Sequence, residues 1–306
     1  MNIQWYPGHM HKAQKEIKQI ISKVDLIIEV LDARIPFSSE NPMIADLRGD
    51  KPCIKILNKS DLADPAMTEQ WQTYLEKDKG VKTIAFTIEQ PEKAKQLVNL
   101  CHKLIPNKKE NIKKLNAMIM GIPNVGKSTL INILAGRIIA KTGNEPAITK
   151  AQQRINIEEN ITLIDTPGVL WPNIENKNSG YRLAITGAIK DTAMEYTDIA
   201  FYAADFMLRH YPELLESRFE ITSLPDTEIE LLELIGSKRG CLGSGGRVEL
   251  DKVSKIIINE LRTGQIGRVT FETPTMREKE IIELIEIRAE KLAKKESRKN
   301  KWKKNK

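Results

Sequence analysis

The sequence predicts a doubly wound α/β domain with a mostly parallel sheet, followed by a small helical domain. Strand-length apolar runs alternate with helical patterns over residues 1 to about 170, which is typical of a parallel sheet covered by helices on both faces. Beyond that point the apolar residues recur only at helical spacing. A glycine-rich loop at residues 121–128 joins a predicted strand to a predicted helix, as phosphate-binding loops do.

The strands of the first half are predicted from short apolar runs. We expect strands over residues 25–33, 52–58, 82–87 and 117–121, and two more within residues 153–168 that are joined by a tight turn at Glu159 and Asn160. Helices are predicted around residues 12–24, 65–77 and 91–104 and from Lys127 onward. Residues 106–116 are polar and are expected to form a connector.

The second half is predicted to be helical. Helices are expected around residues 181–190, 193–209, 226–237, 249–263 and 275–296, with a flexible break at residues 240–247. We therefore divide the chain into an α/β domain over residues 1–175, a helical domain over residues 176–290 and a basic tail over residues 291–306.

Composition indicates a cytoplasmic protein that does not enter a membrane. The chain has 306 residues, of which 41% are hydrophobic, and this is enough to bury the cores of two domains. Its three cysteines fit neither a disulfide framework nor a Cys-x-x-Cys metal site, which favours a reducing compartment. The N-terminus lacks the apolar segment of a signal peptide, and no apolar run is long enough to span a bilayer.

The positive charge is concentrated in the tail. Residues 291–306 contain nine Lys or Arg and one Glu, whereas the net charge of the whole chain is +7, so residues 1–290 are close to neutral. A basic tail on a near-neutral body favours nucleic acid as a partner, because each cation near a phosphate releases counterions. The alternative is a solvated helix end that aids solubility.

The glycine-rich loop reads Gly-Ile-Pro-Asn-Val-Gly-Lys-Ser and matches the pattern of a phosphate-binding loop. Its glycines let backbone N–H groups turn toward phosphates, and the following helix adds the partial positive charge of its N-terminus. Lys127 is expected to neutralise the β- and γ-phosphates, and Ser128 is expected to ligate Mg²⁺.

Residues 163–168, Leu-Ile-Asp-Thr-Pro-Gly, end an apolar strand. A carboxylate at Asp165 can hold Mg²⁺, usually through a water molecule. The N–H of Gly168 can bind the γ-phosphate, which couples the following loop to the nucleotide state. Asp-Thr-Pro-Gly alone is often a simple turn, but its position behind a phosphate-binding loop favours the functional interpretation.

Residues 57–62, Leu-Asn-Lys-Ser-Asp-Leu, predict recognition of guanine. The carboxylate of Asp61 can accept hydrogen bonds from the guanine N1–H and N2 amine together. Adenine has neither donor, so ATP would leave a buried carboxylate unpaired. Asn58 is expected to bond the base edge, and the stem of Lys59 is expected to cover the ring face. The motif ends a predicted strand, where doubly wound sheets bind their ligands.

The order of these motifs differs from that of Ras-like GTPases, in which the phosphate loop comes first. Together with Trp-Tyr-Pro-Gly-His-Met at residues 5–10 and Asp-Ala-Arg-Ile-Pro at residues 32–36, the order resembles that of the circularly permuted GTPases of the YlqF/YawG type, over nearly the whole chain. The resemblance implies a permuted Ras-like P-loop fold that binds GTP and GDP. It also implies a role in late assembly of the large ribosomal subunit, with the helical domain contacting its rRNA.

The resemblance assigns the site position by position. The implied GTP-binding residues are Asn58, Lys59, Ser60, Asp61, Phe86, Thr87, Asn124, Val125, Gly126, Lys127, Ser128, Thr129 and Gly168. The implied Mg²⁺ ligands are Ser128, Thr149 and Asp165. Phe86 and Thr87 stand where the family usually has Ser-Ala, and Ala147 departs from the family's more frequent Pro-Gly-x-Thr.

The water-orienting glutamine of Ras-like enzymes is absent, because Val169 and Leu170 follow Gly168. The resemblance implies an enzyme that is slow alone and is completed on activation, with His9 as its catalytic candidate. His9 could instead pack the first helix, and His11 could be the active histidine. Arg34 could act as an internal arginine finger, but a structural or RNA-contact role is favoured for it.

Asn124 resembles the asparagine with which potassium-activated GTPases hold K⁺ between the phosphates; the alternative is an asparagine that only shapes the loop. We expect a monomeric GTPase that uses Mg²⁺ and K⁺ and binds the large ribosomal subunit. The alternative function is a GTPase module that serves another RNA process such as tRNA modification. The basic tail and the lack of a lipid anchor motif favour the first function.

Overall fold

A computed structural model of the chain describes residues 8–106, 114–140, 153–158, 160–171 and 174–304. The strands within these residues are β1 (Leu26–Asp32), β2 (Cys53–Asn58), β3 (Val81–Ala85), β4 (Leu115–Gly121), β5 (Gln153–Glu158) and β6 (Ile161–Asp165). They form one sheet in the spatial order β3-β2-β1-β4-β6-β5. Neighbouring strands are parallel except for β5 and β6, which are antiparallel. The predicted mostly parallel sheet is therefore confirmed.

Helices surround the sheet and form the whole of the second half. The helices of the first half are α1 (Gly8–Ile20), α2 (Pro36–Ser39), α3 (Pro42–Arg48), α4 (Pro65–Leu75), α5 (Lys93–Leu104) and α6 (Lys127–Ala135). Those of the second half are α7 (Lys177–Ile185), α8 (Tyr196–His210), α9 (Pro212–Phe219), α10 (Glu228–Lys238), α11 (Leu250–Thr263) and α12 (Pro274–Lys304). No described helix is long and apolar enough to cross a membrane.

The central strands are apolar runs because both faces of the sheet are covered. Every residue of β1, β2 and β6 is buried. Four of these buried residues are charged. Asp32 and Asp165 end β1 and β6, whereas Glu29 on β1 and Lys55 on β2 lie side by side in the register of the two strands. A buried carboxylate and ammonium can persist there because each compensates the other's charge.

The carboxyl ends of the five parallel strands lie at one edge of the sheet. Asp32, the last residue of β1, pairs in register with Asn58, the last residue of β2. On the other side of β1, Val30 pairs with Gly121 at the end of β4. The base motif and the phosphate loop therefore leave the sheet at the same edge, although about 60 residues separate them in the chain.

The strand order explains the order of the motifs. If the segment from β4 to β6 were placed before β1, the phosphate loop would become the first motif and the base motif would follow it. The spatial order of the strands would not change, because only the point at which the chain is opened differs. The strand order thus agrees with the circular permutation that the motif order implies, and the helical half follows β6 directly.

The helical half packs back onto the sheet domain through the segment before α12. The N–H of Phe271 donates to the Arg34 carbonyl at 2.7 Å, and the indole Nε1 of Trp71 donates to the Glu272 carbonyl at 3.0 Å. Arg182 of α7 is fully buried and lies 2.7 Å from Glu280 of α12 and 3.2 Å from Glu272. This ion cluster ties the start of α7 to the start of α12.

Several predicted boundaries and elements differ from the structure. Three short helices, α2, α3 and α9, were not predicted. The first helix of the second half spans Lys177–Ile185 and not residues 181–190, because Asn176 caps it by accepting from the N–H groups of Asn178 and Ser179. The expected break at residues 240–247 contains a turn closed by a bridge between Leu242 and Val248.

Candidate nucleotide-binding site

The phosphate loop connects β4 to α6 and has the geometry of an anion-binding turn. Gly126 has a φ of +93°, a conformation that favours glycine, and Lys127 then begins α6. A Cβ at Gly126 would also lie 2.3 Å from the Asn58 side-chain nitrogen. The loop can therefore form only with glycine at this position, and it places the N-terminus of α6 at the edge of the sheet where phosphates would bind.

The base motif is bonded directly to the phosphate loop. The side-chain Nδ2 of Asn58 donates to the Val125 carbonyl at 2.6 Å, and Lys59 Nζ donates to the Asn124 carbonyl at 2.7 Å. Lys59 itself has a φ of +58°, which turns the chain sharply after β2. Two segments that are distant in sequence are thus fixed against each other, as one site for a base and its phosphates requires.

Asp32 was not predicted as a site residue, yet it holds Lys59 in place. Its carboxylate lies 3.3 Å from Lys59 Nζ and accepts two hydrogen bonds from the Arg34 guanidinium, at 2.9 and 2.8 Å. Burial alone would raise the pKa of Asp32, but Arg34 and Lys59 together hold that pKa below its usual range. The available signal in the sequence was the position of Asp32 near the end of a predicted strand, at the start of Asp-Ala-Arg-Ile-Pro.

Arg34 has a structural role in this arrangement. Its side chain is buried, and its NH1 group donates to the Arg262 carbonyl at 3.2 Å, at the C-terminal end of α11. The guanidinium is therefore shared between Asp32 and the helical half. An internal arginine finger would need a free guanidinium directed at the phosphates, and this one is fully occupied.

The remaining base-side residues lie next to the motif. The N–H and Oγ of Ser60 both donate to the Phe86 carbonyl, at 3.1 and 3.0 Å, which brings the segment after β3 against the base motif. The Phe86 ring is 1% exposed and belongs to the core. Asp61 is half-buried at the surface of this corner. Phe86 and Thr87 can thus line a base site mainly through their backbone.

Lys127 and Asp165 form a buried ion pair in the centre of the site. Burial lowers the pKa of Lys127 and raises the pKa of Asp165, because each charged form loses its hydration, and their mutual attraction offsets part of this effect. The second carboxylate oxygen of Asp165, Oδ2, is buried and has no hydrogen-bond partner in the described part of the chain. Ser128 follows Lys127 on α6 and is half-buried.

This donor set fits Mg²⁺. Asp165 Oδ2 is an unpartnered hard oxygen, and the Ser128 hydroxyl adds a second oxygen from the first turn of α6. Magnesium prefers few protein ligands together with water and phosphate oxygens, so two protein oxygens are sufficient. Thr149, the third ligand implied by the sequence, lies outside the described residues.

The Asp-Thr-Pro-Gly segment lies against the phosphate loop. A Cβ at Gly168 would stand 3.1 Å from Pro123 Cα, and the N–H of Val169 donates to the Gly121 carbonyl at 3.2 Å. The next two side chains, Val169 and Leu170, are 3% and 0% exposed. They are packed in the core, so neither faces water that could attack a phosphate.

The other sequence-predicted residues are placed as follows. Val125 is buried under the loop, and Thr129 is half-buried on α6. The amide Nδ2 of Asn124 donates to the Gly187 carbonyl at 2.8 Å, so this side chain reaches the helical half. His9 belongs to α1, but its side chain lies outside the described residues.

The fold and the site define a P-loop GTPase with a circularly permuted chain order. The chain is 46% identical over 286 residues to ribosome biogenesis GTPase A of Priestia megaterium, and the match covers 91% of this chain and 99% of the relative. The chain belongs to the ribosome biogenesis GTPase A family.

Other comparisons agree with this assignment. Residues 116–233 match the family described as 50S ribosome-binding GTPase, a range that includes the phosphate loop but not the base motif. A GDP-bound structure of TM YlqF is similar, with a TM-score of 0.62 and 28% identity over 85% of this chain and 99% of that chain. A GNP-bound YlqF from T. maritima has a TM-score of 0.60 and 29% identity, over 86% of this chain and 98% of that chain.

Proposed function

We propose that this chain is a GTP-hydrolysing factor for the late maturation of the large ribosomal subunit, and that the ribosomal particle activates it. The observation that carries the proposal is the pair of hydrogen bonds that joins Asn58 and Lys59 to the phosphate loop. Family membership supports the broader part, because the relatives are ribosome biogenesis GTPases. The large subunit and the activation by the particle are the finer parts that an experiment must test.

In this proposal the site binds GTP with Mg²⁺. Asp61 accepts hydrogen bonds from guanine. The Asn58 amide Nδ2 donates one of its two hydrogens to the Val125 carbonyl and can donate the other to an acceptor on the base edge. With nucleotide bound, Lys127 would pair with the β- and γ-phosphates in place of Asp165, and Asp165 would be available to hold Mg²⁺. Mg²⁺ would neutralise phosphate charge, and Ser128 and Asp165 would hold it.

GTP hydrolysis needs a group that orients the attacking water, and the segment after Gly168 does not supply it. Val169 and Leu170 are packed in the core, so the position used by the glutamine of Ras-like enzymes cannot serve. His9 is the second residue of α1, and we propose that binding to the particle places its imidazole where it positions or activates the water. Without the particle, hydrolysis is expected to be slow.

Asn124 supports K⁺ as a second cofactor. It lies in the phosphate loop with a φ of +57°, and its side-chain Nδ2 donates to the Gly187 carbonyl at 2.8 Å. An amide oxygen and a backbone carbonyl are both suitable ligands for a hard monovalent cation. K⁺ between the phosphates would add positive charge where an arginine finger would otherwise act.

Docking on rRNA is assigned to the helical half and its tail. The last helix, α12, extends to Lys304, and its residues Lys291, Lys294 and Lys295 are exposed. Exposed cations along a helix provide partners for phosphates without base specificity. The proposed monomer would therefore present a basic helix to the particle.

The decisive test is binding to ribosomal particles in each nucleotide state. The full chain is sedimented with isolated large-subunit particles, small-subunit particles and bulk tRNA, with GDP or with a non-hydrolysable GTP analogue. We expect co-sedimentation with the large subunit and a clear preference for the GTP-analogue state. Equal binding to both subunits, or binding to tRNA alone, would contradict the proposal and favour a GTPase that serves another RNA process.

A further inference from the structure

Asn41 lies between the sheet domain and the segment that follows β6. It precedes α3, is 2% exposed, and its side-chain Nδ2 donates to the Val169 carbonyl at 3.2 Å. Val169 directly follows Gly168, the residue expected to contact the γ-phosphate. A buried amide from a segment that is 128 positions away in the chain thus reaches the residue after the phosphate sensor.

The Gly168–Val169 segment is held from two sides. On one side, the N–H of Val169 donates to the Gly121 carbonyl at 3.2 Å, and Gly168 lies against the backbone of Pro123. On the other side, Asn41 bonds the carbonyl of the same Val169. The N–H of Val169 belongs to the peptide group that joins it to Gly168, and its carbonyl belongs to the next peptide group. Holding both groups restricts the backbone of Val169 and, through the first of them, that of Gly168.

Asn41 is itself held rigidly. Its Oδ1 atom accepts from the N–H of Met43 at 3.1 Å, and its own N–H donates to the buried carboxylate of Glu29 at 3.1 Å. Capping of α3 uses only the Oδ1 atom, so a serine would satisfy the helix equally well. The amide nitrogen is the additional group that asparagine supplies, and its partner is Val169.

We propose that Asn41 is a positioning residue for GTP, which holds Gly168 in the orientation that contacts the γ-phosphate. The inference rests on the proposed function of Gly168 as the γ-phosphate sensor. GDP lacks this phosphate, so loss of the Asn41 amide is expected to weaken binding of GTP and leave binding of GDP unchanged. A residue with only a structural role would affect both nucleotides alike.

The test uses three variants of the full chain. Asn41→Ser keeps a neutral oxygen that can cap α3 but is too short to reach Val169. Gly168→Ala tests the sensor directly, because the added Cβ would crowd Pro123. Thr227→Ala removes the cap bond to the Glu230 N–H of α10, far from the nucleotide site, and is the matched control for loss of a helix cap.

Dissociation constants for GDP and for a non-hydrolysable GTP analogue are measured by fluorescence with Mg²⁺, and thermal unfolding is recorded for each variant. For Asn41→Ser we expect affinity for the analogue to fall about 3- to 10-fold, as loss of one buried hydrogen bond permits, with GDP affinity unchanged. Thr227→Ala should change neither constant.

The outcomes separate this inference from the proposed function. Equal losses for both nucleotides in Asn41→Ser, or no loss for either, would overturn the positioning role of Asn41. If Gly168→Ala alone weakens the analogue, Asn41 has no such role and the proposed function of Gly168 stands. If neither variant affects the analogue selectively, the inference and the assignment of Gly168 both fail.

Discussion

At the scale of single residues, Asp61 is expected to decide which base the site accepts. It stands two residues after Lys59, whose ammonium is bonded to the phosphate loop, so we expect the Asp61 carboxylate to lie near the base. A carboxylate accepts from the N1–H and N2 amine of guanine, whereas xanthine presents an acceptor in place of that amine.

Asp61→Asn should therefore exchange guanine for xanthine preference. We expect GTP affinity to fall about 10- to 100-fold and XTP affinity to rise, since the amide now donates where the carboxylate accepted. Fluorescence titrations with both nucleotides measure the exchange, and Asp64→Asn, which alters a cap of α4 nearby, is the control. Full retention of GTP affinity without any gain for XTP would remove Asp61 from base recognition.

Glu29 makes the stability of the fold depend on pH. Burial raises the pKa of Glu29 to about 7. The ammonium of Lys55, at 3.8 Å, opposes this rise, whereas the nearby carboxylate of Glu40 adds to it. Arg48 lowers the pKa of Glu29 slightly. An acid whose pKa is raised on folding favours the folded state when it is protonated. Its contribution to stability is present below pH 4.5 and is lost as the pH rises to about 7.

Glu29→Gln should remove this dependence. We expect the free energy of unfolding of the wild type, relative to that of Glu29→Gln, to fall by roughly 1–3 kcal/mol between pH 4.5 and pH 7 and to stay level above that. Urea unfolding at several pH values measures both curves. Parallel curves for the two proteins would show that Glu29 does not titrate in this range.

At the scale of elements, the sequence predicts the strands that are continuous apolar runs and the loops that contain a complete motif. The strands that carry the motifs are buried on both faces, and their continuous apolar runs made them recognisable. The phosphate loop and the base motif were predicted from residue types alone, and the structure brings them together.

The missed elements are those whose stability comes from distant contacts. Helix α2 has four residues and no side-chain cap, and it forms where Ser38 bonds the buried Glu272 at 2.9 and 2.7 Å, 234 positions away. Helices α3 and α9 each begin with proline, which was the available local signal. The hydrogen bond from Asn41 to Val169 could not be predicted from the local sequence, because it forms only when two segments 128 positions apart come together in the fold.

The basic end of α12 is an element whose role can be isolated. Replacing Lys291, Lys294 and Lys295 by Gln keeps the helix and removes three exposed cations. If each contacts an RNA phosphate, the slope of log affinity against log salt should decrease by about 2–3.

This slope is measured with a fragment of large-subunit rRNA between low and physiological salt. Glu283→Gln, Glu286→Gln and Glu290→Gln together form the matched control, since they neutralise three exposed acids on the same helix and should not lower the slope. An unchanged slope for the lysine variant would show that these side chains do not contact RNA phosphates, and it would favour a role in solubility.

At the scale of the whole molecule, the permutation determines where the helical half is attached. In the permuted chain, α7 begins nine residues after Gly168, so the helical half closely follows the residue proposed to contact the γ-phosphate. Arg182 of α7 is then clamped by Glu272 and Glu280, and Asn124 of the phosphate loop bonds the Gly187 carbonyl. A change at the γ-phosphate therefore has a short covalent and hydrogen-bonded route to the helical half, which the proposed RNA contact requires.

We propose that the water-orienting group comes from His9 in the N-terminal segment, and His9→Ala tests this. We expect the variant to keep its GTP affinity, because His9 belongs to neither the base motif nor the phosphate loop, and to lose most of the particle-stimulated turnover. Positioned water-activating groups are worth about 10²–10⁴-fold. GTP turnover with and without large-subunit particles is measured beside nucleotide affinity, with His11→Ala as the matched control two residues further along α1. Stimulated rates equal to those of the wild type would exclude His9 and assign the missing group to K⁺ at Asn124 or to the particle itself.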